Sequence, residues 1–537
     1  MKALTKTWIS LALVPFAPGC ADDGAAADEA GASSSSSSDG GSETATTTAS
    51  TTMTSATTTS ADSSSSAADS SSGVVPIEVE AEITTYDGQP MVADLVLTLS
   101  AAGSASVAHA TDQGVVIAAT EGGDDTHLHF RVRGLAPATM HTLQFEVAAT
   151  EGGAATSGEV EFETPAALNG FVGAFALETS DVEPAPLFRM SDWNPWPAGD
   201  FAGAIMIDPA GITRWYLSAP TTLVGPPAVW VAVRLRADGT ILGISGDTFW
   251  IRDELGNVLT EIHAVDLGLP TLHHDVIELS NGNFMAISQD FRDVDYPDLG
   301  TRYTVGDTIV EFTLDGDVVW SWNSFDHLDP QRRRENGEDL IVNPVDGESA
   351  LDWTHANAVL LDETTGVITM SLRHQDWIIA IDYATGDVLW RLGDEGDFAL
   401  DGGDTWFFHQ HAPQWQDDGT LLLFDNGNGN PYISPLAVET RAVRYALDDV
   451  GMTASVAWED DEPPFQVIFA GDADRIAGGH LLVTDAAIFG AQGQVNARVR
   501  ELDESHDPTR IWSFTTPDNR WIYRTTANDR LVGVAAR

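Results

Sequence analysis

The chain has 537 residues and a formal charge of −55, from 81 Asp plus Glu against 26 Lys plus Arg. At about 150 residues per domain that length holds two to four domains, and so acidic a surface excludes nucleic acid and anionic lipid as partners. The only lysines, Lys2 and Lys6, and the only cysteine, Cys20, fall at the extreme N-terminus, which removes Schiff-base, P-loop and thiol chemistry, disulfide frameworks and Cys-ligated zinc.

Residues 1–20 read as an export signal: a basic start, the apolar run Trp8 to Phe16, then Ala17-Pro-Gly19 before Cys20. The run is too short to span a bilayer. A lone cysteine after a small residue and before a polar tract resembles a bacterial lipobox, with Ala17 where Leu is usual. The resemblance implies lipidation at Cys20, and Ala21 after it implies the outer membrane, facing the periplasm or the cell surface. Residues 21–73 are Ser, Thr, Ala, Gly and Asp with nothing to bury, so they read as a disordered tether of roughly 40 Å root-mean-square span. The membrane is then expected as a partner only through the lipid anchor.

From 74 to 167 apolar and polar residues alternate, as in Ile77 to Ile83, Leu95 to Leu99, Leu143 to Val147 and Glu159 to Glu163. Short strands at that spacing predict a small β-sandwich. Gly134-Leu-Ala-Pro-Ala-Thr139 resembles the corner of a fibronectin type III domain, with His141 where Tyr is usual. His109, His127, His129 and His141 are expected at the surface of a non-catalytic spacer.

Residues 168–537 repeat. An apolar strand, an Asp or Gly turn and a strand ending near Trp recur at Ile205 to Trp215, Trp250 to Leu259, Ile309 to Trp320, Ile378 to Trp390, Ala442 to Trp458 and Val499 to Trp512. A second turn-and-strand unit precedes several of them, as at Ala237-Asp-Gly-Thr240 and Asp417-Asp-Gly-Thr420. Two hairpins per repeat make a four-stranded blade. The fold expected is all-β: a six-bladed β-propeller preceded by a small β-sandwich, with the tryptophans packing between blades.

Ten histidines lie beyond the sandwich, several in polar strand-like runs: His273-His274-Asp275, His355-Ala-Asn357, Arg373-His374-Gln375 and His409-Gln410-His411. Residues two apart in a strand share a face, which pairs His355 with Asn357, Ser371 with Arg373 and His409 with His411. Alternation lets only one of His273 and His274 face the channel. A ring of His, Asn and Arg inside so acidic a protein is an island of donors suited to a small oxyanion.

These motifs, together with Asp352-Trp-Thr-His-Ala-Asn-Ala358, Phe407-Phe-His-Gln-His-Ala412 and Asp472 to His480, in this order over roughly residues 200–535, resemble the bacterial arylsulfate sulfotransferase family. The resemblance implies a sandwich plus a six-bladed propeller and transfer of a sulfuryl group from an aryl sulfate donor to a phenolic acceptor through a sulfohistidine, with no nucleotide or other cofactor. Carried over, His411 is the nucleophile, and His355, Asn357 and His274 hold or protonate sulfuryl and phenolic oxygens. Arg373 neutralises the sulfate, Thr484 offers a further oxygen contact, and His273 and His409 are further substrate-binding residues. Trp406, Phe407 and Phe408 stand next to His411, where they would help wall an aromatic pocket, although Trp and Phe in a propeller are more often core. The family can carry a disulfide near this site, which a chain with Cys20 as its single cysteine lacks.

Three other readings compete. His409-Gln-His411 fits a zinc or copper pair, but without thiolates and with Arg373 in the set no metal is expected. Asp425-Asn-Gly-Asn-Gly-Asn430 looks like a calcium loop without EF-hand spacing, and reads as a turn. Asp382 to Trp390 also resembles the tryptophan motif of quinoprotein propellers, and so a non-catalytic binding or scaffold lipoprotein on the outer membrane; those have eight blades. The sequence assigns no oligomeric state.

Overall fold

The computed structural model describes residues 77–536, apart from 112–113, 121–122, 152–154, 169–170, 197–200, 219–228, 334–339, 344, 432–438, 461, 464 and 491–492. The expected signal, the Cys20 lipidation site and the tether lie outside the described residues.

Two antiparallel sheets occupy the first ninety or so described residues. One orders the strands Val79–Thr85, Val92–Leu99, His127–Arg133 and Val116–Ala119, and the other Gly103–His109, Met140–Ala149 and Thr156–Glu163. Alternate residues of each turn inward, as antiparallel sheets with one wet face require, and Leu95, Leu97, Val132, Leu143, Phe145 and Phe162 meet in a shared core. The strand Gly103–His109 was not anticipated, because its inward residues are small. His141 is corrected from the surface to the interior: it is 2% exposed, its Nε2–H donates to Ala136 O at 2.9 Å and its Nδ1 accepts from His109 Nε2 at 2.9 Å. These sheets are clamped to the rest of the chain by buried Glu254, which accepts from Arg131 at 2.8 Å and from Arg133 at 2.6 Å.

Six further sheets follow, each built on four antiparallel strands that are mostly consecutive. Their middle strands are apolar almost throughout because both faces are covered. Leu421 and Leu423 pack against the fourth sheet, while Leu422 and Phe424 point the other way into the sixth. Separate cores join the first and second sheets, the second and third, and so on, and a last one joins the sixth back to the first through Ile205, Tyr216, Val499 and Phe514. Repeated devices hold neighbours together. The indole N–H of Trp215 donates to Glu254 O at 2.9 Å, that of Trp320 to Tyr383 O at 3.0 Å and that of Trp512 to Pro209 O at 3.0 Å, each reaching the next sheet. The Asp-Gly-Thr turns are tight because Gly239 and Gly419 take φ of +89° and +80°, a region closed to most side chains.

The circle is closed by both ends of this region. The first sheet, on Phe188–Pro195, takes Arg520–Trp521 and Thr525–Asn528 from the end of the chain. The sixth, ending on Arg510–Thr515, takes Leu177–Thr179 from the beginning. Buried Asp192 locks the first of these exchanges by accepting the backbone N–H of Tyr523 at 2.6 Å and of Arg524 at 2.8 Å.

Candidate active site

The first strands of successive sheets contact one another in order: Phe188–Pro195, Trp230–Leu235, His273–Glu278, Ala356–Asp362, His411–Trp415 and Asp472–Arg475. Four of them open on a bulge. At or beside each sits a non-glycine residue in the left-handed region: Ala232 at φ 54°, His274 at 57°, His355 at 49° and Ala412 at 48°. Such residues cost roughly 1–3 kcal/mol each and gather where function holds them. The bulges also defeat simple alternation. His273 and His274 both turn inward and lie side by side, Nδ1 to Nδ1 at 2.7 Å, so the expectation that only one faces the centre is wrong. His355 precedes its strand and Asn357 sits at the bulge, so the two do not share a strand face. Arg373 lies in a short 3-10 turn, Arg373–Gln375, rather than a strand. His409, at φ 56°, precedes the strand of His411, and the two rings go different ways.

The imidazoles form a continuous chain. Ring centroids are 4.9 Å apart for His273 and His274, 5.0 Å for His274 and His355, 4.5 Å for His355 and His374, and 5.8 Å for His374 and His409. Tyr523 joins His411 to this chain, 6.3 Å from it and 5.8 Å from His274. His411 and His355 are each tied at one nitrogen, His273 and His374 at both. His411 Nδ1 meets Asn426 Oδ1 at 2.7 Å, His355 Nδ1 meets Asp352 Oδ2 at 2.5 Å, and His273 Nε2 lies 3.3 Å from Asp307. His409 Nδ1 lies 3.1 Å from Asp376. Arg373 places Nη1 2.6 Å from His374 Nε2 and donates Nη2 to Ile468 O at 3.1 Å. Asn357 donates to Gln410 O at 2.8 Å, bracing the residue before His411.

Buried atoms left without a hydrogen-bond partner among the described residues include His411 Nε2, His355 Nε2, Asn357 Oδ1, Arg373 Nε, Arg524 Nε and Thr484 Oγ1. Buried polar atoms are normally satisfied, so a cluster of orphans calls for a polar ligand. Thr484 enters through the sixth sheet, opposite Asp472 in register. Burial is the main reason that His274, His355, His374 and His411 are held well below the ordinary imidazole range, with Arg373 adding to it for His355, His374 and His411. His274, His355, His374 and His411 therefore favour the neutral form beside the Arg373 guanidinium.

Residues 185–524 match the arylsulfotransferase (ASST) family. The chain belongs to that family. Among curated proteins, this arylsulfotransferase-family chain is similar to "Arylsulfate sulfotransferase AssT" of Lelliottia amnigena, 24% identical over 373 residues, covering 56% of this chain and 60% of that protein. The protein of the same name from Escherichia coli O6:H1 is 24% identical over 380 residues, covering 55% and 61%. The chain thus spans about three-fifths of the length of the curated relatives it matches. Among solved structures, a protein of unknown function from Bacteroides caccae aligns at 12% identity with a TM-score of 0.40, over 64% of this chain and all of that one.

The family's match ends at Arg524, and Arg524 with Tyr523 is what the sequence reading missed. Arg524 donates to Asn357 O at 2.8 Å and pairs with Asp275 at 3.0 Å. Asp352, Asp307 and Asn426 were missed as well, although each lies in or beside a quoted motif. Asp425-Asn-Gly-Asn-Gly-Asn430 holds a turn at 428–429, and its first residues serve the site: Asp425 ends the strand Leu421–Asp425 and accepts from Phe408 N at 2.9 Å, while Asn426 holds His411. Trp406, Phe407 and Phe408 pack with Leu421, Val443 and Tyr445 in the core between the fourth and fifth sheets, the core alternative rather than the pocket wall. Among the described residues one acid and histidine trio, Asp352, His355 and His374, brings ligand atoms within 4.8 Å of one another. The Arg373 guanidinium 2.6 Å from His374 makes it a poor cation site for this arylsulfotransferase-family chain.

Proposed function

We propose that the protein is an arylsulfate sulfotransferase, moving a sulfuryl group from a phenolic sulfate ester to a phenol in two steps through a sulfohistidine on His411. The observation that carries this is the pair of buried, unpartnered Nε2 atoms on His411 and His355, each ring anchored through Nδ1, with Arg373 beside them. In the first step His411 Nε2 attacks sulfur and the ester S–O bond breaks, its electron pair leaving with the phenolate. In the second the acceptor's oxygen attacks sulfur, the S–N bond breaks and His411 regains its lone pair. His355 Nε2 takes the acceptor's proton and returns it to the next leaving phenolate. Arg373 offsets charge on the sulfuryl oxygens, and His274, Asn357 and Thr484 offer further contacts, with His273 and His409 behind them. The six sheets are read as the blades of a propeller over 168–537 and the two N-terminal sheets as a fibronectin III-like sandwich over 74–167. A lipid anchor at Cys20 in the outer membrane is supported by the N-terminal sequence alone.

The test is steady-state kinetics with 4-nitrophenyl sulfate and phenol, with mass spectrometry of the donor-treated protein. Parallel double-reciprocal lines and a sulfuryl adduct on the peptide holding His411, lost when phenol is added, are expected. Intersecting lines and no adduct would turn the reading to the binding or scaffold module.

Two further outcomes follow from the ring's electrostatics. Burial, and next Arg373, hold His411 well below 6.5, and the neutral form is the nucleophile. The kcat/KM for the donor is therefore expected to stay level from pH 8 down to pH 6, where a free imidazole would be only about one quarter neutral. It falls at more acid pH; a profile half-lost at pH 6.5 would contradict the assignment. Asp352→Asn weakens the carboxylate that orients and strengthens His355 as a base, so transfer to high-pKa phenols is expected to slow about 10–100-fold. Release of the first nitrophenol, a leaving group that needs no proton, should change less than threefold, as a rapid-mixing burst would measure.

A further inference from the structure

His411 and His355 are held by different chemistry at Nδ1, one by an amide and the other by a carboxylate. The amide's orientation is decided by its surroundings. Asn426 Nδ2 lies 2.9 Å from Val467 O and 2.9 Å from Ala470 O, and both are carbonyls that only accept, so the group facing them is the NH2. Its Oδ1 therefore faces His411 Nδ1 as an acceptor, and Nδ1 must carry the hydrogen. Asn426 is fully buried, as is His411, so no solvent competes for either group. The segment 467–470 also receives Arg373 through Ile468 O and, at the same carbonyl, Asn428. One stretch of backbone thus fixes both the guanidinium and the amide that sets the imidazole.

We propose that Asn426 is a positioning residue that holds the proton on His411 Nδ1, leaving Nε2 as the ring's single lone pair and keeping the second N–H in place while a sulfuryl group is bound. The second half of this statement rests on the sulfuryl-transfer reading; the first does not. When the S–Nε2 bond forms, the ring carries N–H at Nδ1 and one positive charge beside the sulfonate's negative charge. When that bond breaks, neutral imidazole leaves and no proton has to arrive first. A carboxylate at this position would stabilise the cationic ring and so deepen the intermediate. The neutral amide orients the ring without doing so, which suits a group that must be handed on.

The test uses the full chain labelled with 15N at histidine, with the His411 signals assigned by their loss in His411→Asn. Two-bond 1H–15N correlations are expected to report an Nδ1–H tautomer for His411 in the resting protein. An Nε2–H tautomer overturns the proposal whether or not the protein transfers sulfuryl groups. In Asn426→Ala the ring is expected to revert toward Nε2–H, and kcat for 4-nitrophenyl sulfate to fall about 10–100-fold with KM within threefold, because no substrate contact is removed. A variant that keeps Nδ1–H and full turnover also overturns it. The wild-type spectrum decides the tautomer even if the variant does not fold. An Nδ1–H tautomer in a protein that releases no nitrophenol would sink the transfer reading and leave the positioning of His411 standing.

Discussion

His411→Asn is expected to lose turnover of 4-nitrophenyl sulfate by a factor on the order of 10⁴–10⁶, the scale seen when a covalent nucleophile is removed. Asparagine has no basic lone pair to attack sulfur, and His355, whose Nε2 is open, is committed to the phenol's proton in the proposed cycle. His355 is held by Asp352 through Nδ1 alone, whereas His374 is engaged at both nitrogens, by the Asp352 backbone and by Arg373. The structural cost should be small, about 1–2 kcal/mol for the hydrogen bond lost at Asn426, so a thermal midpoint near that of the wild type separates chemistry from unfolding. Retention of a tenth of the activity would move the nucleophile elsewhere in the histidine chain.

Asp192→Ala is expected to be strongly destabilising. Asp192 is buried and accepts three hydrogen bonds, from Asn194 Nδ2 at 2.6 Å and from the backbone of Tyr523 and Arg524. Removing it strands those donors, at a cost of about 3–5 kcal/mol, read as a drop in denaturation midpoint. Because the residues released are Tyr523 and Arg524, donor turnover should fall with it, even at temperatures where the variant is folded. The pH dependence of this group has a definite sign. Burial pushes its carboxyl up to about 7 from 3.8, so the fold favours the protonated form. Its contribution is full below pH 3.8 and is lost as pH rises through 7. Asp192→Asn, which does not ionise, should therefore be less destabilising relative to wild type at pH 8 than at pH 5.

The strands were legible because both of their periodicities are written in side chains. Leu421 to Phe424 supplies two interfaces at once, the Asp-Gly turns mark hairpin ends, and Trp215, Trp320 and Trp512 mark where one sheet meets the next. The histidine motifs were legible as a set. What alternation could not foresee is the backbone of the inner strands: the left-handed turns at His274, His355 and Ala412 follow from bulges, and a bulge leaves no mark in composition. Hence His273 and His274 were wrongly treated as exclusive, and His355 and Asn357 were paired for the wrong reason. The partners that tune the ring were hidden by distance along the chain, since Arg524 reaches Asn357 from 167 positions away. Asp352 stood in plain view, but only its 2.5 Å approach to His355 gives it a task.

The exchange of strands that closes the circle also sets a time at which the protein becomes competent. A polypeptide halted before Tyr523 already holds every histidine of the ring, yet it lacks the aromatic ring between His411 and His274 and the guanidinium braced against Asn357. Synthesis from N- to C-terminus therefore delivers His411 and the other ring histidines before it delivers Tyr523 and Arg524, which join them to the rest of the site.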